Sequence, residues 1–262
     1  MIETPKDNIK SFFEELSEKE RNRTCGVDAA RLYQKIHANR FQKTFDICKR
    51  LAPNPHIQVL DVGPSNLTKL LTQEYDHVST LGLDIAVDEG GQQDTSLLSL
   101  HLPHISFELN NSPYTDRWPV INQKFDLIVY AETIEHLSIA PEYSLVFLAS
   151  LLAENGILLV TTPNAAMIIK RLILLLKGKN PYERIRLFSK NPGHFREYTM
   201  NEMITIGAIC QCEVLFTKHV NFYSAASFVQ TLLKNLLPRF RDSLVIAYRK
   251  KWLHTPTING KG

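Results

Sequence analysis

A polar loop that follows an apolar run is the first feature of this sequence whose residues could do chemistry. Residues Ile57–Leu71 read IQVLDVGPSNLTKLL: the apolar run reaches Asp61, Gly63 opens the loop, and a helical pattern resumes at Leu67. A buried strand, a tight turn and a helix N-terminus in this order form the site where nucleotide-binding α/β folds receive a cofactor. Because the loop has one glycine instead of several, its interpretation needs support from the rest of the chain.

Further polar residues lie where two other predicted strands end. The run Ser79–Ala86 carries Asp84 at its carboxyl end, at about the 20-residue spacing from Gly63 at which an acidic side chain reaches a ribose. A carboxylate suits this role because two vicinal hydroxyls can donate to its two oxygens, although a solvated Asp at a strand end has the same pattern. In HISFELNN, Asn110 and Asn111 either offer an amide to an adenine edge or form a turn.

Acid–base chemistry has its candidates in two segments. The first, FDLIVYAETIEHL, runs from a predicted strand into Glu132, Glu135 and His136, and the second, HFREYT, begins at His194. Imidazole and carboxylate groups are common general bases. His136 has an equal alternative as a structural hydrogen-bonding group of its own loop.

The elements that would position these residues alternate between strand and helix. Apolar strands recur along the chain up to NGILLVTTPN (Asn155–Asn164). This rhythm favours a parallel sheet covered by helices on both faces. Further strands are predicted at Cys212–Phe222 and Ser243–Lys250, with a helix at Ser224–Leu237 between them. Another helix is predicted to begin at a capping box of Thr199 and Glu202.

The chain divides into an N-terminal helical cap (1–54), an α/β domain (55–250) with an insertion at 164–198, and a tail (251–262). The cap has Asp28 as a predicted N-cap, and it covers either the mouth of the cofactor site or one flank of the sheet. The insertion opens with a helix, Ala165–Leu176, that is apolar nearly all round. Such a helix is usually buried; the alternative is that it faces an apolar substrate or a membrane surface.

Together, LDVG with the later strand-end Asp84, FDLIVYAETIEHL, NGILLVTTPN and HFREYT resemble class I S-adenosylmethionine-dependent methyltransferases. Within that class the chain is similar, over about Arg40–Lys250, to small bacterial enzymes that modify glycans and lipids. The resemblance implies a Rossmann-like, seven-stranded, mostly parallel sheet with an antiparallel last strand. It also implies a cofactor bound across the carboxyl ends of the first four strands.

The loop after the first strand departs from the G-x-G-x-G of this class. Pro64 has no N–H to donate, so backbone donation to the cofactor carboxylate must come from neighbouring residues. Asn66 tolerates positive φ better than most residues, so the turn can still form. We therefore expect altered affinity for the cofactor.

The resemblance implies roles for the following residues. Cofactor-binding residues would be Asp61, Gly63, Pro64, Ser65, Asp84, Ile85, Asn110, Asn111 and Glu132. Catalytic residues would be His136, His194 and Glu135, and substrate-binding residues would be Arg196 and Tyr198. Arg196 has an alternative in ion pairing and Tyr198 in packing. No spacing of Asp, Glu or His demands a metal ion.

The predicted activity is O-methylation of a hydroxyl on a saccharide or glycan-linked metabolite, with S-adenosylmethionine as cofactor and His136 or His194 as base. A base is expected because an attacking hydroxyl must lose its proton. One alternative is a natural-product or lipid acceptor methylated at carbon, nitrogen or oxygen, and another is an inactive scaffold that keeps the fold. A nicotinamide-dependent dehydrogenase would favour a fuller G-x-G-x-x-G.

The composition of the chain limits the kinds of binding partner that we expect. A net charge of +3 is too small to indicate nucleic acid, and 44% hydrophobic with 22% charged residues is ordinary for a globular protein. Four cysteines without zinc-ligand spacing favour a reducing cytoplasm, and the acidic start does not read as a signal peptide. We expect a cytoplasmic protein with a small-molecule or glycan substrate. Its late basic residues form either a solvated surface or a peripheral contact with anionic lipid or a phosphorylated substrate.

Overall fold

The computed structural model describes residues 27–83, 95–182, 185, 193–223 and 236–251. Its strands are β1 (Gln58–Val62), β2 (His77–Gly82), β3 (His104–Ser106), β4 (Phe125–Ala131), β5 (Leu152–Pro163), β6 (Cys212–Val220) and β7 (Ser243–Lys250). They form one sheet in the order β3-β2-β1-β4-β5-β7-β6. Strand β7 is antiparallel to both of its neighbours, and the other pairs are parallel. The predicted fold class is confirmed.

The described helices are α1 (Val27–Leu51), α2 (Asn66–Glu74), α3 (Pro141–Ser150), α4 (Ile168–Lys177) and α5 (Met200–Ile209). Local chemistry sets several of their ends. Ser65 and Thr199 are the N-caps of α2 and α5, and each forms a capping box, so the predicted box of Thr199 and Glu202 is confirmed. Gly178, with a φ of +60°, ends α4.

Side chains that alternate along the central strands build an apolar core on each face of the sheet. On one face, Leu60 and Ile128 are buried in the same cluster as Met203 of α5. On the other face, Val59 is buried in the same cluster as Phe45 of α1. Because helices close both faces, ligand access is left to the ends of the strands.

The carboxyl ends of β1, β4 and β5 lie side by side. Val62 of β1 pairs with Tyr130 of β4, and Tyr130 pairs with Val160 of β5. The segments that follow these strands therefore meet at one edge of the sheet. In open α/β sheets, ligands bind in the crevice outside this edge.

Some predicted boundaries differ from the structure. Helix α1 begins at Val27, so Asp28 lies in its first turn and not at the N-cap. Strand β3 is short, and Asn110 and Asn111 belong to a 3₁₀ turn beyond it. The predicted helix at Ser224–Leu237 lies almost entirely outside the described residues.

The prediction that the apolar helix of the insertion is buried is wrong. No residue of α4 is buried, and Leu174, Leu175 and Leu176 are 52%, 79% and 75% exposed. The physical reason is position: the described helices α1, α2, α3 and α5 already cover the two faces of the sheet. The exposed apolar side chains of α4 leave the alternative open, and contact with an apolar substrate or a membrane surface stays a prediction.

Candidate active site

The loop between β1 and α2 is held by a chain of hydrogen bonds. The backbone N–H of Ser65 donates to Oγ1 of Thr68 at 2.8 Å, and the Thr68 hydroxyl donates to Oδ2 of Asp61 at 2.6 Å. Asp61 is buried, and burial raises its pKa to about 7. Gly63 has a φ of +79°, and a Cβ there would lie 3.0 Å from Oγ1 of Thr133. The loop is therefore a fixed turn that lies close against the segment after β4.

The backbone N–H groups of this loop are already engaged. That of Gly63 donates to the carbonyl oxygen of Leu81 at 2.8 Å, and that of Ser65 donates to Thr68. Pro64 has none. A cofactor carboxylate therefore needs donors outside these three residues, in line with the expectation from Pro64. The predicted ribose-side residues Asp84 and Ile85 lie outside the described residues.

Glu132 lies directly after β4 with a φ of +51°. Its Oε1 accepts from the Thr161 hydroxyl at 3.0 Å, and its Oε2 lies 3.6 Å from Nη1 of Arg40. Burial raises the pKa of Glu132, and the positive charge of Arg40 opposes this rise. Because Arg40 belongs to α1, that helix reaches the carboxyl end of β4 as well as covering one face of the sheet.

Glu135 is almost fully enclosed, with 1% of its surface exposed. Its Oε2 accepts from the Thr162 hydroxyl at 3.0 Å, whereas its Oε1 is buried with no hydrogen-bond partner among the described residues. Burial, followed by the negative charge of Glu132, raises the pKa of Glu135 well above its ordinary value. A buried oxygen left in this way costs free energy, because it has given up its hydration without replacement.

His136 and His194 lie against each other, with ring centroids 4.8 Å apart and an interplanar angle of 73°. Nδ1 of His136 is 2.9 Å from the carbonyl oxygen of Gly193, which can only accept, so this nitrogen carries a proton. Nδ1 of His194 is 3.2 Å from Oε1 of Glu197 and donates in the same way. In their neutral forms both rings therefore hold a lone pair on Nε2.

Glu197 is anchored in turn by Lys170 of α4. The ammonium group of Lys170 donates to both oxygens of the buried Glu197 carboxylate. Burial alone would raise the pKa of Glu197, but the hydrogen bonds from His194 and Lys170 lower it overall. The carboxylate is thus ionised, and it fixes the orientation of the His194 ring.

The predicted catalytic residues come together in the structure. One nitrogen or oxygen atom from each of Glu135, His136 and His194 lies within 4.8 Å of the others. The backbone N–H of Phe195 donates to the carbonyl oxygen of Glu135 at 2.8 Å, which ties the insertion to the segment after β4. Beside them is a pocket of about 290 Å³. Its described lining residues are Ala165, Tyr182, His194, Phe195, Arg196, Glu197 and Glu202.

The remaining predicted residues occupy different environments. Oδ1 of Asn110 accepts from the backbone N–H of Ser138 at 2.9 Å, and Oδ1 of Asn111 accepts from Arg117 at 3.2 Å. These amides thus stabilise loops at the carboxyl edge of the sheet, and their contact with an adenine stays a prediction.

The two predicted substrate-binding residues also differ from each other. Arg196 lies in the pocket wall, where its guanidinium donates to Glu202 at 2.7 Å. Tyr198 is buried in the core. Arg196 therefore faces the pocket, whereas the burial of Tyr198 suits packing, and the substrate-binding role of each stays a prediction.

Residues 36–235 match a family model described as a methyltransferase domain. The chain belongs to this family. The matched region includes the described residues of the site, from Arg40 to Glu202. Among proteins with curated functions, none shows a significant sequence match to this methyltransferase.

Solved methyltransferases share its fold. An S-adenosylmethionine-dependent methyltransferase from Clostridium acetobutylicum has a TM-score of 0.56 at 14% identity, covering 86% of this chain and 98% of its own. The 1,6-didemethyltoxoflavin-N1-methyltransferase of Burkholderia thailandensis, solved with S-adenosylhomocysteine, has a TM-score of 0.55 at 12% identity. The match covers 96% of this chain and 92% of that protein. The N-methyltransferase NodS of Bradyrhizobium japonicum, also solved with S-adenosylhomocysteine, has a TM-score of 0.53 at 14% identity. The match covers 92% of this chain and 99% of that protein. At these identities the likeness concerns the fold.

Sequence reasoning missed the residues that hold the site of this methyltransferase in place. Thr161 and Thr162 could have been recognised as site residues, because two hydroxyl side chains stand together at the carboxyl end of an apolar strand. Lys170 could also have been recognised, because it interrupts the apolar helix of the insertion. Arg40 could not have been recognised, because nothing in the sequence around it indicates Glu132, which it contacts only in the folded chain.

Proposed function

We propose that this methyltransferase transfers a methyl group from S-adenosylmethionine to a hydroxyl of a saccharide or glycan-linked metabolite. The observation that carries the proposal is the cluster of Glu135, His136 and His194 beside a pocket at the carboxyl edge of the sheet. A hydroxyl must shed its proton as its oxygen attacks a methyl group. Groups that handle a proton at this edge therefore have a task when the acceptor is a hydroxyl.

The residues after β1 fit the cofactor. S-adenosylmethionine, when bound, supplies the activated methyl group, and the protein's task is to hold an acceptor oxygen about 3 Å from it. Gly63 keeps open a space that a side chain would close against Thr133. The hydrogen bonds from Ser65 through Thr68 to Asp61 fix the turn before any ligand arrives.

The pocket supports a small polar acceptor. Its volume of about 290 Å³ is near the lower end of the range of about 300–1,000 Å³ for small-molecule sites, which suits a single sugar ring. Arg196, Glu197 and Glu202 give its wall both donors and acceptors. Sugar hydroxyls, which donate and accept at once, pair with such a wall better than an apolar acceptor would.

The arrangement of the two histidines supports a role in taking the acceptor proton. Each neutral ring holds its lone pair on Nε2, and each has an acceptor at Nδ1 that orients the ring: the Gly193 carbonyl for His136 and the Glu197 carboxylate for His194. This supports the predicted role of His136 or His194 as base.

Calorimetry with S-adenosylmethionine and with NAD tests the cofactor. We expect binding of the first; binding of NAD alone would overturn the proposal. Asp84→Ala should weaken that binding if Asp84 contacts the ribose, and an unchanged affinity would remove Asp84 from the site. Transfer from methyl-labelled S-adenosylmethionine to saccharide, natural-product and lipid fractions then identifies the acceptor. Tight cofactor binding without transfer to any fraction would favour the inactive scaffold.

A lipid-linked acceptor is the second candidate, and α4 favours it. The exposed Leu174–Leu176 are followed by the exposed Lys177 and Lys179. In the part of the chain that is described, no helix is long and apolar enough to cross a bilayer. Leucines beside lysines instead suit the surface of an anionic membrane. Because Lys170 of the same helix holds Glu197, such contact would bring the pocket close to a membrane-anchored glycan on the cytoplasmic side.

A further inference from the structure

The atoms of Glu135, His136 and His194 are close enough to share one ion. One nitrogen or oxygen from each lies within 4.8 Å of the others. Two ligands on one metal ion stand about 3–4 Å apart, given bonds of about 2.0–2.2 Å. Small side-chain rotations would therefore close this cluster on a cation.

The groups behind the two histidines are those that accompany metal ligands. A histidine bound to a metal almost always donates its other ring N–H to a carboxylate or a backbone carbonyl. Glu197 and the carbonyl of Gly193 fill these positions, and Lys170 holds Glu197. A general base requires one imidazole. Here two imidazole rings lie side by side, and in the neutral form of each ring Nε2 is the nitrogen without a proton.

Glu135 supplies an independent observation. Its side chain is buried, and Oε1 has no hydrogen-bond partner among the described residues. A cation at the cluster would supply the missing partner of this oxygen, because buried polar groups are stabilised by pairing or by coordination.

We infer that Glu135, His136 and His194 bind a divalent transition-metal ion of the series Mn²⁺, Fe²⁺, Co²⁺ and Zn²⁺. Imidazole nitrogens with a carboxylate oxygen suit these ions, whereas Mg²⁺ and Ca²⁺ favour sites built of oxygen. His194 also lines the pocket, so an ion held by this cluster would lie next to an acceptor bound there. The sequence pattern did not reveal this site, because His194 joins the other two residues only through the path of the insertion.

The catalytic consequence rests on the proposed function. A cation at this cluster would bind the acceptor hydroxyl and lower its pKa, so that its proton passes to solvent. The ionised oxygen would then form a bond to the methyl carbon as the bond from sulfur to that carbon breaks and S-adenosylhomocysteine leaves. Vicinal hydroxyls, which are common in saccharides, can occupy two positions on one ion. The lone pairs of His136 and His194 would then be metal ligands, and neither histidine would serve as the base.

Titration of the full chain with Mn²⁺, after treatment with a chelator and without cofactor or acceptor, tests the inference. Continuous-wave EPR of free Mn²⁺ gives the affinity and stoichiometry, and pulsed EPR of bound Mn²⁺ detects coordinated imidazole nitrogen. We expect one ion per chain with a nitrogen signal. Zn²⁺ should displace it at lower concentration than Mg²⁺ does, following the ligand preferences of these ions.

Variants identify the ligands. His194→Ala and Glu135→Gln should each weaken Mn²⁺ binding by at least about 10-fold, and Glu197→Gln by about 10–100-fold through the orientation of His194. Glu135→Gln keeps the volume and an acceptor for Thr162, and thermal unfolding shows whether each variant is folded. His77→Ala and Glu213→Gln, at exposed positions of β2 and β6, remove the same residue types and should change nothing.

The inference is overturned if the wild-type chain binds no Mn²⁺, or if the ion binds without a nitrogen signal. It is also overturned if Glu135→Gln and His194→Ala, both folded, bind Mn²⁺ as tightly as the wild type. Methyl transfer is measured separately with and without added Mn²⁺. Metal binding without transfer contradicts the proposed function alone, whereas full transfer by metal-free protein contradicts the catalytic role of the ion and keeps the histidine base.

Discussion

The buried carboxyl group of Asp61 makes the stability of this methyltransferase depend on pH. Burial raises the pKa of Asp61 from its ordinary value of 3.8 to about 7, although the hydrogen bond from Thr68 acts in the opposite direction. Between these pH values the group is protonated in the folded chain and ionised in the unfolded chain. Folding therefore takes up a proton, and the folded state loses stability as the pH rises. At 1.36 kcal/mol per pH unit, the loss above pH 7 is on the order of 4 kcal/mol.

Asp61→Asn removes this titration and keeps an oxygen that accepts from Thr68. The free energy of unfolding of the variant should exceed that of the wild type by up to about 4 kcal/mol at about pH 8, and the difference should vanish towards about pH 4. Urea unfolding across this range measures it. Asp116→Asn, at an exposed 3₁₀ turn, makes the same chemical change and should alter stability by less than about 0.5 kcal/mol throughout. A difference between Asp61→Asn and wild type that is constant with pH would refute the reasoning.

Three other substitutions test the packing, the loop and the outer helix. Gly207→Ala should lower the free energy of unfolding by about 1–3 kcal/mol, because a Cβ would lie 2.3 Å from Cε1 of the buried Tyr248. Gly63→Ala should weaken binding of S-adenosylmethionine in calorimetry, since its Cβ would enter the turn, and unchanged affinity would place the cofactor elsewhere. Leu175→Glu should reduce co-sedimentation with vesicles that contain phosphatidylserine and leave the urea midpoint unchanged, because Leu175 is 79% exposed. Unchanged vesicle binding would exclude α4 as a membrane contact.

Each substitution has a matched control. Ala208→Ser adds an atom on the exposed side of α5 and should not affect unfolding. Gly178→Ala carries the strain of a positive φ, as Gly63→Ala does, but no other atom lies within 4 Å of its Cβ, so cofactor affinity should be preserved. Val120→Glu adds a carboxylate at another exposed apolar position and should leave vesicle binding intact.

The central strands could be predicted from the sequence because they are buried on both faces. Runs such as FDLIVY in β4 lack polar alternation, which is the pattern of a strand covered on both sides. The fate of α4 could not be predicted in this way. Apolar content shows that a helix avoids water, but it does not show whether a sheet face remains for it to cover.

The candidate site was predictable to the extent that its residues directly follow strands. Glu135 and His136 come after β4, so the rule that ligands bind at carboxyl ends indicated them. The contact of His194 with His136 depends on the course of the insertion, and that of Arg40 with Glu132 depends on how α1 crosses the sheet. Such pairs are set by tertiary packing, and no local pattern in one sequence records them.

The two ends of the insertion meet beside the end of β5. Asn164 and Tyr198 form a parallel bridge, and the backbone N–H of Ala165 donates to the carbonyl oxygen of Tyr198 at 2.9 Å. The Asn164 amide also donates to the carbonyl oxygens of Arg239 and Arg241, which secures the same point to the segment before β7. A segment closed at its base can change in length and sequence without moving the strands. Substitutions within it would therefore reshape the wall of the pocket while the sheet and the loop after β1 keep their positions.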